Sequence, residues 1–257
     1  MKIREELHFI DLTARMALRA DASALVLGYF WWILEPLIWV AIFYLVFAYI
    51  LDSPRADFLN FLIVGKLPFQ WFSGGLTTCA QALVSAAGLV SVRPVPKSLL
   101  VLGKFQQTNY RQLAVFALLF VYLLLSGREA ALTWCWVLLI AGAQFVLIAA
   151  LGLIAAVMVC VAQDFSRVIQ MFVIFMLFSS GIFWDVRSLA PDLQNLILTL
   201  NPMAVILDAY RQALLYNEVP DVPRLLFITG LFSGLSALMM IWIRNHETWL
   251  ALRILSR

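Results

Sequence analysis

Charge is scarce in this sequence: 13% of its 257 residues are Asp, Glu, Lys or Arg, while 63% are apolar and the mean hydropathy is +0.93. Soluble domains carry about 25% charged residues, so the composition excludes that class and points to an integral membrane protein. Histidine is scarcer still, with only His8 and His246, and Cys79, Cys135 and Cys160 sit in apolar runs without CxxC or Cys/His spacing. That argues against a metal site and leaves the cysteines as small core residues. A phosphate-cradling GxxxxGK[ST] loop is also missing, since Gly65-Lys66 runs into Leu67 and Gly103-Lys104 into Phe105. The chain is not expected to hydrolyse ATP. Carboxylates such as Asp52, Asp57, Glu129, Asp185, Asp192, Glu218 and Asp221 fall in aqueous connections, so no catalytic residue is assigned. An ion-coupled carrier would bury several ionisable groups, and only Glu35 and Lys66 qualify. The start, MKIREELHFIDLTARMALRAD, intersperses charge throughout, so a removable signal peptide is not expected.

What is present is long apolar runs. A hydrocarbon core of about 30 Å takes roughly 20 residues of helix. Runs 25–51, 58–90, 132–161 and 225–243 meet that length, and 112–126 and 168–184 can span if their ends are partly polar. The expected fold is all-α, a single transmembrane domain over 1–257 with six spans, and no internal repeat is visible. Assigning alternate connections to opposite sides puts twelve cations on one side: Lys2, Arg4, Arg15, Arg19, Arg93, Lys97, Lys104, Arg111, Arg167, Arg244, Arg253 and Arg257. Arg55, Arg128, Arg187, Arg211 and Arg224 fall on the other, with Lys66 inside a span. The positive-inside rule then predicts that both termini are cytoplasmic.

Two segments are amphipathic rather than spanning. In 1–22, Ile3, Leu7, Ile10, Ala14 and Leu18 follow helical spacing with charges on the other faces, which predicts an interface helix or one packed on a partner. In 189–217, Leu193–Leu200 and Met203–Leu215 are each too short to cross and are separated by Asn201-Pro202. They read as a re-entrant pair of outer helices, with an external hairpin as the alternative.

Three groups of side chains carry candidate function. In LGYFWWILEPL, residues 27–37, a carboxylate, Glu35, and a helix breaker, Pro36, follow three aromatics about one turn inside the bilayer. Trp32, Trp39, Phe43 and Phe47 recur on one helix face, and Phe172, Phe175, Ser179 and Phe183 repeat the idea. Aromatic planes stack on the C–H faces of sugars through weak repeated contacts that let a polymer slide; the same rings could instead face lipid or fill the bundle. Lys66 could attract an anionic polymer or a lipid headgroup, pair with a carboxylate, or snorkel to the interface. Arg93, Pro94, Pro96 and Lys97 hold the start of the second inner connection extended, before a short helix at Ser98 to Lys104.

Several stretches together resemble the permease subunit of type-2 ATP-binding-cassette exporters of polysaccharides, most closely the capsular polysaccharide permeases of Gram-negative bacteria. They are LGYFWWILEPL at 27–37, FLIVGKLPFQWFS at 61–73, GLVSVRPVPKSLLVLGK at 88–104, QDFSRVIQ at 163–170 and NPMAVILDAYRQALL at 201–215. The resemblance implies a homodimer in the inner membrane with two copies of a cytoplasmic ATPase, which binds ATP and Mg, while this chain carries no cofactor. It implies a channel for a polysaccharide or glycolipid between the two copies, and the residue reading above offers Trp32, Glu35, Trp39, Phe43, Phe47, Lys66, Phe172, Phe175, Ser179 and Phe183 as its candidate lining. ATPase coupling falls to 91–104, through Arg93, Pro94, Pro96, Lys97, Ser98, Leu99 and Leu100, and to Asp164; glutamates at Leu99 and Leu100 are expected to uncouple the ATPase without harming insertion. Asn201, Pro202, Tyr210 and Arg211 fall in an outer gate. Periplasmic and outer-membrane export components are expected partners, and nucleic acid is not. O antigen, a teichoic acid precursor or a small drug-like molecule remain alternative cargoes, and a membrane-embedded glycan-modifying enzyme is the alternative of a different class.

Overall fold

The structure is a computed structural model that describes residues 3–24, 26–46, 57–92 and 95–255. Phe47, Arg93 and Pro94 lie outside the described residues. All regular elements among the described residues are helical. The helix α1 (Ile3–Ser23) buries Ala14, Leu18 and Ala22, which are four residues apart and form one face. It packs on α6, with the contact close enough that a Cβ on Gly103 would lie 2.6 Å from Thr13 Oγ1. Gly28 takes a left-handed φ of +49° where the chain turns from α1 into α2 (Trp31–Tyr44), a conformation available to glycine at little cost.

The centre of the bundle is α3 (Phe58–Ala80), packed against α7 (Val137–Val161) and α6 (Lys97–Leu125). Small residues allow the close approach: a Cβ on Gly152 would meet Cys79 Cβ at 2.9 Å, and one on Gly75 would meet Ile148 Cγ2 at 2.6 Å. Cys79 and Cys160 are buried as the sequence suggests, but Cys135 is exposed. The other helices are α4 (Ala82–Ser85), α5 (Ala87–Val92), α8 (Phe165–Ser179), α9 (Pro191–Leu200), α10 (Pro202–Arg211), α11 (Val222–Asn245) and α12 (Glu247–Leu255).

Among the described residues three helices are long and apolar enough to cross a bilayer, Lys97–Leu125, Leu132–Val161 and Val222–Asn245, a fourth if α1 and the bent continuation over Gly28–Tyr44 count as one span, and α8 is a shorter apolar one. This is an all-helical polytopic membrane protein. At about 1.5 Å per residue, α3 also has the length to cross, but Asn60, Lys66 and Gln70 dilute its hydropathy because its neighbours are helices rather than lipid. The run 58–90 is not one span, because the helix stops at Ala80 and resumes as the short α4 and α5. The segment Ser98 to Lys104 is not a separate helix but the opening turns of α6, which continues through 112–125.

Polar contacts separate the two ends of the bundle. At one end Tyr110 donates to Asp11, Gln107 Nε2 donates to Asp21 Oδ2 at 2.5 Å, and Arg244 pairs with Glu6 at 2.9 Å. The Tyr110 bond, with a second from Arg15, holds the Asp11 carboxyl below its usual range. Arg253 of α12 donates to the Val161 carbonyl at 3.0 Å, satisfying an orphan acceptor where α7 ends. At the other end Arg128 pairs with Asp57 and donates to the Leu215 carbonyl at 3.2 Å, while Arg187 bridges Asp208 at 3.2 Å and Glu218 at 2.8 Å. α1 and α12 therefore share an end, the grouping that alternating connections require.

Candidate functional site

Within α2, Pro36 lacks the N–H that would bond the Trp32 carbonyl, loosening the ladder beside Glu35. Glu35 points at α6, where Arg111 Nη2 lies 3.6 Å from its carboxylate. Arg111 of α6 therefore answers the carboxylate. At 3.6 Å and half exposed, this is an ion contact without a hydrogen bond, of small stabilising value and easily exchanged. The Arg111 guanidinium also sits 5.9 Å from the Trp32 ring.

This pair stands beside a cavity of about 420 Å³ between α2, α3, α6 and α8. Its walls are Trp32, Glu35, Gln70, Trp71, Ser73, Gly74, Gly75, Thr77, Thr78, Thr108, Arg111, Gln112, Val115 and Val173. Trp71 is anchored by donating Nε1 to Asn109 Oδ1 at 3.0 Å, and its ring meets Phe116 edge-on at 5.8 Å. A second cavity of about 350 Å³, lined by Asp21, Ala24, Trp31, Trp32, Glu35 and Arg111, lies toward α1 on the other side of the same pair. Indole planes, hydroxyls, side-chain amides and one ion pair form a lining that suits a polyhydroxylated ligand held by many weak contacts.

One turn beyond Glu35 on α2, and one turn before Gln70 on α3, an aromatic cluster gathers. Trp39 stacks on Phe43 with centroids 5.7 Å apart, Phe43 meets Phe183 at 4.8 Å, and Phe183 meets Phe178 at 5.7 Å. Lys66 Nζ lies 5.5 Å from the Trp39 and Phe43 rings and 5.8 Å from Phe69. The structure thus gathers Trp39, Phe43, Lys66 and Phe183, and places Trp32 and Glu35 one to two turns away. Phe172 and Phe175 do not join them and lie on the open face of α8. The spacing 172, 175, 179, 183 suggested one face, but α8 ends at Ser179 and Gly181, at φ +75°, turns Phe183 back toward α2.

Ser179 instead belongs to the outer hairpin, accepting from Asn201 Nδ2 at 3.3 Å. Asn201 Oδ1 caps α10 by accepting from the backbone of Met203 at 3.0 Å and Ala204 at 3.1 Å, and Pro202 occupies the first helical position. Tyr210 is fully buried, 5.9 Å from Phe116. Arg211, only 1% exposed, lays its guanidinium 3.5 Å from the Phe61 ring and donates to the Ile182 carbonyl at 3.3 Å. The helix α10 is therefore a buried wedge rather than a surface flap, and α9 is its exposed partner.

The coupling residues are placed differently from the sequence reading. Lys97, Ser98, Leu99 and Leu100 are buried inside this chain, with Leu99 1% exposed, so they present no docking surface. Their apolar spacing serves this chain's own core. Exposed apolar side chains at this end include Leu89 and Val92 of α5, beside Leu7, Leu12 and Met16 of α1 and Trp249, Leu252 and Leu255 of α12. Pro96 caps α6 in an extended conformation, and Asp164 precedes α8 at the same end.

The sequence profile described as ABC-2 type transporter matches residues 110–215. An O-antigen export system permease protein, RfbA, of Klebsiella pneumoniae is 24% identical over 216 residues, 83% of each chain. Its namesake from Myxococcus xanthus is 23% identical over 83% of this chain and 82% of its own. The polysialic acid transport protein KpsM of Escherichia coli is 26% identical over 203 residues, 76% of each. The chain is thus similar to the ABC-2 type transporter family over residues 110–215 and to glycan export permeases over most of its length.

Proposed function

We propose that this chain is the permease half of an ATP-driven exporter that moves a lipid-linked polysaccharide, of capsular type, across the bacterial inner membrane. Two copies would enclose the pathway, each coupled to a cytoplasmic ATPase that binds ATP and Mg, and periplasmic and outer-membrane components would carry the polymer onward. In this reading both termini are cytoplasmic, the six spans fall within the runs 25–51, 58–80, 97–125, 132–161, 165–184 and 222–245, and α9 and α10 re-enter from the outer side. The observation that carries it is the 420 Å³ cavity with its two indoles, hydroxyls and amides, on a chain whose relatives are named for glycan export. ATPase docking is assigned to α5, whose exposed Leu89 and Val92 sit at the α1 end where the cations collect. O antigen is the second reading, because the alignments to O-antigen permeases cover more of the chain than those to the polysialic acid protein.

The pair Glu35 and Arg111 divides the interface-side cavity from the inner one, so it serves as the mouth of the pathway. Glu35→Gln should lower the initial export rate about tenfold, about 1.4 kcal/mol of barrier, while leaving thermal stability nearly unchanged, because a half-exposed ion contact contributes little to folding. Normal export by this variant would reduce Glu35 to a structural role. The function itself is tested by reconstituting the chain with its co-purifying ATPase in inside-out vesicles and following labelled glycan. ATP-dependent accumulation that requires both chains is expected; glycan turnover by the isolated chain would overturn the reading.

A further inference from the structure

Lys66 is 8% exposed, in the middle of α3, and is faced by Trp39, Phe43 and Phe69. Among the described residues no carboxylate lies within ion-pair distance of its ammonium and no acceptor takes its hydrogen bonds. The ring faces attract the positive charge but cannot accept three N–H bonds in good geometry. A buried ammonium in that state is expensive to keep for stability alone, since an apolar side chain of similar length would fill the same space without losing hydration. The cage sits where α2, α3 and Phe183 converge, one helical turn from Glu35 and Gln70, which line the polar cavity.

Building on the proposed polysaccharide export, we infer that the Lys66 cage is a subsite for acidic sugars: the ammonium takes the carboxylate of a uronic-type residue while Trp39, Phe43 and Phe183 stack on its pyranose faces. The parts are complementary. Charge-assisted N–H···O⁻ bonds supply what the rings cannot, and the rings bind the C–H faces that the ammonium does not reach. The subsite also selects. A neutral sugar leaves the ammonium with hydroxyl acceptors only, and a cationic sugar is repelled, so acidic repeats are held at the cage longer than neutral ones of the same size. Binding to a site this enclosed is less screened by salt than a surface contact, so part of the preference should survive physiological ionic strength.

The test uses the full chain in nanodiscs with hexagalacturonate and maltohexaose, two α-1,4-linked hexamers of which only the first carries carboxylates. Binding is read from quenching of Trp39, with Trp39→Phe as the spectroscopic blank. Wild type is expected to bind the acidic hexamer at least tenfold more tightly than the neutral one. Lys66→Met should abolish that ratio, shift maltohexaose affinity by less than twofold and raise the thermal midpoint, whereas Lys66→Arg should keep the preference. An acidic-to-neutral ratio in Lys66→Met equal to that of wild type would overturn the subsite, as would equal binding of both hexamers by wild type. If neither hexamer binds wild type, the glycan reading of the whole pathway falls with it, so the two failures are distinguishable.

Discussion

Glutamates at both Leu89 and Val92 are expected to abolish co-purification of the ATPase and to reduce ATP-driven export to background, with the thermal midpoint of the isolated permease within a few degrees of wild type. Both side chains are exposed apolar groups on α5, so a carboxylate there meets water in the free chain and is buried only against a partner. Leu99→Glu is the contrasting variant. With 1% of its surface exposed, that residue would carry a charge into the core, which costs several kcal/mol, and the chain should fail to accumulate. Pull-down with tagged ATPase beside size-exclusion profiles separates the two outcomes. If Leu99→Glu folded normally while Leu89 and Val92 tolerated glutamate, docking would return to the start of α6.

The second large effect concerns Arg211. Its guanidinium is clamped between Phe61, the Ile182 carbonyl and Gly65, where a Cβ would come within 2.5 Å of Nη2. Arg211→Ala removes a stacked ring contact and a hydrogen bond and leaves a void, and should cost about 3 kcal/mol, or roughly 6–12 °C in thermal midpoint. Arg211→Lys should recover only part of this, because an ammonium cannot stack as a plane while donating to Ile182. Gly65→Ala should be harmful alone and nearly neutral in the Arg211→Ala background, since the clash exists only while the guanidinium is present. Additive losses in that cycle would contradict the clamp.

Much of this organisation is legible in the sequence because apolar length and helical periodicity are local properties. The start of α1, the break at Asn201-Pro202 and the aromatic face of α2 all follow from spacing within one element. What spacing does not reveal is which neighbour a face meets. Leu99 and Leu100 look like a docking surface beside two prolines, yet they pack into the same chain because α6 begins there and runs on without a break. Phe183 joins Phe43 through the turn at Gly181, a tertiary event that a helical wheel of 168–184 misplaces. In the sequence Arg111 reads only as one of the inner cations, although it lies opposite Glu35 in space. The helix α12 is weakly marked in RNHETWLALRILSR, where the i, i+4 pair Leu250 and Ile254 is a short apolar signal, and both side chains are buried.

The cavity between α2, α3, α6 and α8 is the centre of the functional reading, and Gly74 allows it to be blocked without disturbing the bundle. Gly74 lines the cavity, and a Cβ built on it meets no atom within 4 Å. An indole there fills much of a 420 Å³ space that is otherwise open. The decisive measurement is ATP-driven accumulation of labelled glycan in inside-out vesicles holding Gly74→Trp permease and its ATPase. Export should fall at least tenfold, with the complex intact, ATP hydrolysis retained and the thermal midpoint unchanged. Wild-type export by that complex would place the polymer's path elsewhere in the protein.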